Sequence, residues 1–527
     1  MGTLVYQLMC VAAIGEVQRS SVVPASADVG RPPPGASTLS VYPAPVGAPL
    51  SSTFAVAVSQ AGRPPLAPPV FSGSSAPRCR QLAAADAMPS ACKALAGHTQ
   101  SWASFWFSGD GVTVTISRVG GWGDWARVQL RSSSGRHTVL PLNATAFSFE
   151  LAPSRLGWKI SVESEAQESS GTVSPPVVQH MLMIFGDPEE LATDPTLALS
   201  GRDPDPGGSM LYFAAGYHDV GGQMVLPPNI SSVYIAGGAW VSGGFITRED
   251  SSSIRIAGRG VVSGSATPFL ISPQGDGHCS YNGSFCWSMI NLDKGTSHVV
   301  EGLVLHDPPK FYFRSEAPGV VVRGAKLLGA WPYNTDGVAT GDSGVVTDCF
   351  IRANDDTVKL YSSRMLVQDC TLWQGSNGAC FQLGWWSSHS QRDILVQRIT
   401  VLHAEWSQPG SANDGVVDLR GPPKGGGKYD VQNITFNDIR LDAAITGGTL
   451  LRMDLGSASG SVSQLSFSRL SMPSLLPSTL AVGLGRSFSS FRFTNMTVNG
   501  QCVRNITMSG MQPASALAEA GFTFDCA

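Results

Sequence analysis

Six segments of the chain share one frame: VVEGLVL from Val299, VVRGAKL from Val321, VVTDCFI from Val345, LVQDCTL from Leu366, LVQRITV from Leu395 and DVQNITF from Asp430. Each reads Val-x-polar-x-apolar, and successive starts lie 22, 24, 21, 29 and 35 residues apart. A unit of this length cannot bury its apolar face alone, so copies must stack into a solenoid. β-Branched residues alternate with period two and helical periodicity is lacking, which excludes helical solenoids, horseshoe repeats and an α/β barrel with its amphipathic helices. A right-handed parallel β-helix remains, with insertions lengthening its later coils. VYIAGGAWVSG (233), IRIAGRGVVSG (254), LSFSRLSM (465) and FRFTNMTV (491) extend it at both ends.

We therefore expect an all-β protein in which the β-helix fills residues 183–527. Residues 96–182 carry short β-rich runs such as SWASFWFS, VTVTISRV and WKISVES, separated by turn residues, and predict a small β-sandwich. Residues 21–95 are rich in Pro, Ser and Ala and predict a largely disordered linker. The apolar run LVYQLMCVAAIG, within residues 1–20, lacks a basic flank and reads as a signal segment rather than a membrane span.

Composition narrows the function classes. Basic and acidic residues nearly balance at a net charge of −4, so no nucleic-acid partner is expected, and no later segment is apolar enough for a membrane span. Six of the thirteen asparagines begin glycosylation sequons, at Asn143, Asn229, Asn282, Asn433, Asn495 and Asn505, against about two expected by chance. That excess predicts a secreted glycoprotein. The ten cysteines suit the same compartment. Sequence-near pairs suggest the bridges Cys79–Cys92, Cys279–Cys286 and Cys502–Cys526, while Cys349, Cys370 and Cys380 also read as buried small hydrophobes. Cys380 is the expected odd thiol.

In a chain only 14% charged, WPYNTDGVATGDSGVVTDCFIRANDDTVKLY (331–361) places Asp336, Asp355 and Asp356 close together. Residues one coil apart lie over one another at the strand spacing of about 4.8 Å, so all three should project from one face of neighbouring coils. Clustered carboxylates repel, and one should keep its proton while others ionise, as a general acid beside a general base requires. A separation of roughly 6.5–9.5 Å would leave room for an attacking water and give inversion. A calcium site, turn capping and a solvated loop are the competing readings of the same residues. No metal or cofactor is expected. Trp331, Tyr333 and Trp385 offer flat faces for neutral sugar rings. Lys359 could contact an aspartate or a sugar hydroxyl, and Asn334 could bind sugar or stabilise a turn. Trp373 reads as core, His306 and His403 as structural, and the Gly/Pro-rich insertion 408–428 as a groove wall.

NTDG (334–337), NDDTVKLY (354–361), CTLW (370–373), LGWW (383–386) and VLHAEW (401–406), with LHDPPKFYF (305–313), VYIAGGAWVSGGF (233–245) and GRGVVSG (258–264) upstream, resemble glycoside hydrolase family 49. This is the dextranase and isopullulanase family, within the pectinase-like β-helix clan. The resemblance covers roughly residues 180–525, most closely the central 75. It implies a β-sandwich followed by a β-helix, and hydrolysis of α-glucan, dextran-like α-1,6 linkages first, by single displacement with inversion. By position, Asp355 resembles the family's general acid, and Asp336 and Asp356 the pair that holds and deprotonates water. The Gly-His-Gly and Arg-Ile-Lys segments of polygalacturonases are missing at the expected places. Two alternatives stay open: a hydrolase or lyase of another polysaccharide such as a uronan, and a non-catalytic carbohydrate-binding β-helix. A monomer acting on a polysaccharide is expected.

Overall fold

The computed structural model describes residues 37–75, 79, 99–119, 128–133, 137–165, 178–190, 208–248, 251–267, 288–330, 334–385, 389–406, 413–421, 429–442, 448–455, 459–480, 486–509 and 521–526. The expected signal segment lies outside them. Nearly all regular structure is strand; the one helix among the described residues is Ile506–Ser509.

From Met210 to Asp525, 29 strands form one continuous sheet wound as a parallel β-helix. A typical coil contributes three short strands, such as Val345–Thr347, Phe350–Ala353 and Val358–Lys359. The predicted frame is the structural register: Val299, Val321, Val345, Leu366 and Leu395 stack in turn. Its fourth position turns the corner between two strands with a left-handed backbone, at Gly302 (φ 77), Gly324 (φ 59), Asp348 (φ 55), Asp369 (φ 55) and Arg398 (φ 52). Glycine takes this conformation without strain, and aspartate tolerates it better than most residues. Inward side chains stack along the axis, as in Phe436–Phe467–Phe493, whose rings repeat at 4.8 Å, the strand spacing itself.

The sixth frame is offset. Leu395 pairs with Thr435 rather than with Asp430. Left-handed bends occur at both Asn433 and Asp438 of the strand Val431–Leu441, so the apolar–polar–apolar signature occurs twice in that strand and the sequence alignment took the earlier copy.

The sandwich begins well before residue 96. Thr38–Val41 and Phe71–Ser74 pair with Thr99–Ser108, whereas Phe54–Gln60 pairs with Val112–Arg118 in the opposing sheet. FAVAVSQ buries alternate residues against Val114, Ile116, Phe149 and Ile184. This period-two pattern is embedded in a Pro/Ala/Ser-rich background, which is why composition marked the segment as linker.

The sandwich packs on the β-helix through an apolar seam that includes Phe71, Trp102, Phe185, Trp240, Phe350 and Trp373. Trp373 is buried, as expected, and its indole Nε1 donates to Glu163 at 2.9 Å. A shallow crevice bordered by Pro43, Phe71, Trp102, Trp240 and Arg259 lies at the seam, away from the carboxylates. The Cys502–Cys526 bridge is present, Cys79 is disulfide-bonded, and Cys349, Cys370 and Cys380 are free and buried. Cys92, Cys279 and Cys286 lie outside the described residues. Asn143, Asn229, Asn433 and Asn505 are exposed and Asn495 is half-buried; Asn282 lies outside the described residues.

Candidate functional site

The corner between the second and third strands of each coil builds the site. Val338 pairs with Val358, and Val358 with Phe381. Asp336 and Asp356, each two residues earlier, therefore stack one coil apart, with Gly337 N–H donating to Asp356 O at 2.8 Å. Gly378 carries the next coil across the acids: at φ 87, a Cβ there would lie 2.2 Å from the Asp355 carbonyl carbon. Its own carbonyl accepts from buried Trp406 Nε1 at 2.7 Å.

Asp336, Asp355 and Asp356 are all buried, and one oxygen from each lies within 4.8 Å of the others. Two of the acids are sequence neighbours and the third is one strand spacing away, which brings these oxygens together. Lys359 sits among them. Its Nζ is 2.6 Å from Asp336 Oδ2 and 2.5 Å from Asp356 Oδ2, and it also donates to Tyr361 OH at 3.3 Å. With three hydrogens directed at Asp336, Asp356 and Tyr361, Lys359 makes the expected aspartate contact and serves as an internal counter-ion. It also supplies positive charge where a calcium ion would have to bind. The rings of Phe311 and Tyr361 flank the ammonium at 5.3 and 5.1 Å.

The three acids differ electrostatically. Among the described residues Asp355 makes no ion pair; Asn377 Nδ2 donates to its Oδ2 at 2.6 Å, Asn334 Nδ2 to the same oxygen at 3.3 Å, and Asp356 N–H to Oδ1 at 2.9 Å. Burial first, then the Asp336 and Asp356 charges, raise its pKa well above the carboxylate range. Asp336 is raised to about 6 by burial, with Lys359 opposing and Asp356 adding to the shift. Asp356 accepts from Lys359, from Ala379 N–H at 3.1 Å and from Asn413 Nδ2 at 2.6 Å. One acid thus has its proton affinity raised outside the ion pair, beside two that share a cation. Lys310 lies near Asp336 and Asp355; burial lowers its pKa against the pull of both charges.

Asn334 takes a left-handed backbone (φ 46) and contacts an acid, so the turn and site readings both apply to it. Trp385 is half-buried beyond the strand Ala379–Gly384, with the Arg420 guanidinium 4.4 Å from its ring centroid. Trp331 and Tyr333 lie outside the described residues. Sequence reasoning missed Lys310, Asn377, Gln382, Asn413 and Asp418; the last four sit in coils beyond the acids. Arg352 is buried behind the site with its guanidinium 4.5 Å from the Trp373 ring centroid.

No model of a known protein family matches the sequence. Among curated proteins, a dextranase of Arthrobacter globiformis is 26% identical over 408 residues, covering 67% of this chain and 63% of the relative. An isopullulanase of Aspergillus niger is 25% identical over 385 residues, covering 66% of this chain and 67% of the relative. The chain is thus similar in sequence to curated dextranases and an isopullulanase. It spans about 63% of the length of the curated dextranases from Arthrobacter that it matches. The solved structure of Dex49A from Penicillium minioluteum superposes with a TM-score of 0.73 over 92% of this chain and 96% of that one, at 19% identity, and shares the family's fold.

Proposed function

We propose that the protein is a secreted glycoside hydrolase that cleaves α-glucan chains, with dextran-like α-1,6 linkages the first substrate to test. The observation that carries this reading is the unequal trio: Asp355, whose proton affinity burial and its neighbours raise, outside the Lys359 ion pair, and Asp336 and Asp356 inside it. Asp355 protonates the departing glycosidic oxygen, while the other two acids hold and deprotonate the attacking water. Oxygens less than 4.8 Å apart can share one water, because two O–H···O bonds of roughly 2.7–2.8 Å span that distance. Water delivered from the side opposite the leaving oxygen gives inversion. The names of the relatives support the α-glucan class, and the exposed sequons support secretion.

A uronan substrate fits less well. Lys359 is occupied by Asp336 and Asp356, and Arg352 faces Glu405, Tyr312, Asp307 and Glu163 rather than the acids, so of these cations Lys310 alone would offset three carboxylates before a polyanion.

Reducing-sugar release from dextran, pullulan and polygalacturonate tests the class. We expect activity on an α-glucan and a fall in kcat of about 10³-fold in Asp355→Asn, with binding retained. Undiminished turnover in that variant removes Asp355 from its role. NMR of the first anomer released decides between inversion and retention.

A further inference from the structure

Beyond the acids, a row of polar residues runs along the third face of the solenoid. Lys359, Gln382, Asp418 and Arg452 occupy one register position on successive coils. Each follows an inward apolar residue, Val358, Phe381, Val417 or Leu451, so these four side chains share the opposite face of the sheet. Asp418 is fully buried, 62 residues from Asp356 in sequence, yet joined to it by side-chain hydrogen bonds.

One backbone carbonyl and the Asp418 carboxylate together fix the polarity of that connection. Gln382 Nε2 donates one hydrogen to Leu383 O at 2.8 Å and the other to Asp418 Oδ1 at 2.9 Å, the latter shared with Asp418 O at 3.2 Å. Two of these acceptors are carbonyls that can only accept, so the amide nitrogen must lie there and Gln382 Oε1 must face the other way. Oε1 accepts from Asn413 Nδ2 at 3.0 Å. The same nitrogen donates to Asp356 Oδ1 at 2.6 Å, so both hydrogens of the Asn413 amide are assigned. Every partner of Asp356 is thereby a donor: Asn413, the Ala379 N–H and the Lys359 ammonium. None can accept a proton from it. Asp336 differs, because Lys359 holds its Oδ2 while its buried Oδ1 has no hydrogen-bond partner among the described residues.

Resting on the glycosidase reading, we propose that Asp418, acting through Gln382 and Asn413, is a positioning residue that fixes Asp356 as an oriented carboxylate, so that Asp356 steadies the attacking water and Asp336 Oδ1 takes its proton. In the reaction the water oxygen bonds to the anomeric carbon as the glycosidic C–O bond breaks. The departing oxygen receives the Asp355 proton, and a water proton passes to Asp336. The carboxyl of Asp418 touches no reacting atom; it acts by holding the two amides in one orientation.

Azide separates the two roles, because it attacks without having to lose a proton and so replaces a water together with its base. With a fluoride-activated α-glucoside, azide should restore turnover to Asp336→Ala at least about tenfold and yield a glycosyl azide, and should not restore Asp356→Ala. Asn413→Ala and Asp418→Leu should lower kcat about tenfold with KM within about twofold, whereas Asp418→Asn, which keeps an acceptor for Gln382, should remain within about twofold of wild type. Rescue of Asp356→Ala in place of Asp336→Ala overturns the division of labour. Equal loss in Asp418→Asn and Asp418→Leu, or a loss confined to thermal stability, overturns the positioning role. Wild-type turnover is measured first: an inactive wild type refutes the glycosidase reading and this assignment with it, and an active wild type with a different pattern refutes this assignment alone.

Discussion

The seam between sandwich and β-helix contains a charge relay whose strength can be worked out from its geometry. His403, at the end of the strand Gln391–Ala404, places Nδ1 3.0 Å from Glu163 Oε2 of the sandwich and Nε2 3.2 Å from Glu405 Oε1. Both ring nitrogens face carboxylates, so the ring satisfies both only as imidazolium. Glu163 also accepts from Arg131 Nε at 3.0 Å, from Ser161 Oγ at 2.8 Å and from Trp373 Nε1, and the Trp373 and His403 rings stack at 4.4 Å. Burial alone would lower the His403 pKa, but the Glu163 charge and the hydrogen bonds to Glu163 and Glu405 raise it from 6.5 to about 9. Burial would likewise raise Glu163, and His403 with Arg131 pulls it down from 4.5 to about 2.

The signs follow from linkage. A histidine raised on folding stabilises fully below its unfolded pKa of 6.5 and loses that contribution as pH rises through about 9. A carboxylate depressed on folding stabilises above 4.5 and loses it as pH falls through about 2. These are one ion pair seen from two sides and are not added. At 1.36 kcal/mol per pKa unit, the His403 contribution is about 3 kcal/mol at pH 6 and under about 1 kcal/mol at pH 9. Amide hydrogen exchange of Met181–Phe185, which faces this seam, should therefore report local opening about 100-fold more frequent at pH 9 than at pH 6 after correction for intrinsic rates. His403→Gln cannot titrate and should lose most of that dependence. Equal pH dependence in wild type and variant would refute the relay.

Two further predictions concern the site. Lys359→Met removes the charge that holds Asp336 down against burial, so the acidic limb of kcat/KM should move upward from about 6 and activity at pH 5 should fall at least about tenfold; an unmoved limb in the pH profile would separate Asp336 from that ionisation. Trp385→Ala should raise KM for an α-glucan polymer several-fold with kcat nearly unchanged if the ring forms a sugar subsite, and an unchanged KM in initial-rate kinetics would assign it to packing against Arg420.

The fold was legible because the corner of each coil demands a left-handed residue, and Gly302, Gly324, Asp348 and Asp369 advertise it at nearly fixed spacing. Legibility failed where the same corner recurs within one strand, at Asn433 and Asp438, and where Phe54, Val56 and Val58 alternate inside a Pro-rich background. The three acids and Lys359 were visible because they lie within one coil of one another. Asn377, Asn413 and Asp418 were not, since they reach the site only through the stacking of later coils of unequal length. A signal for them exists in the apolar–polar pairs Val358-Lys359, Phe381-Gln382, Val417-Asp418 and Leu451-Arg452, but reading it requires the register first.

That register also explains how one chain can give three crowded acids different surroundings. Asp355 and Asp356 are adjacent, so their side chains diverge: Asp356 falls over Asp336 and shares Lys359 with it, while Asp355 turns to Asn377 and Asn334. Burial acts on both Asp336 and Asp355, but only Asp336 has a cation within hydrogen-bond distance to offset it. The difference in proton affinity between Asp355 and Asp336 therefore does not depend on fine adjustment of each carboxyl. It arises from which side of a two-residue corner each one occupies, and the hydrogen-bonded backbone of the coils on either side keeps that corner from relaxing.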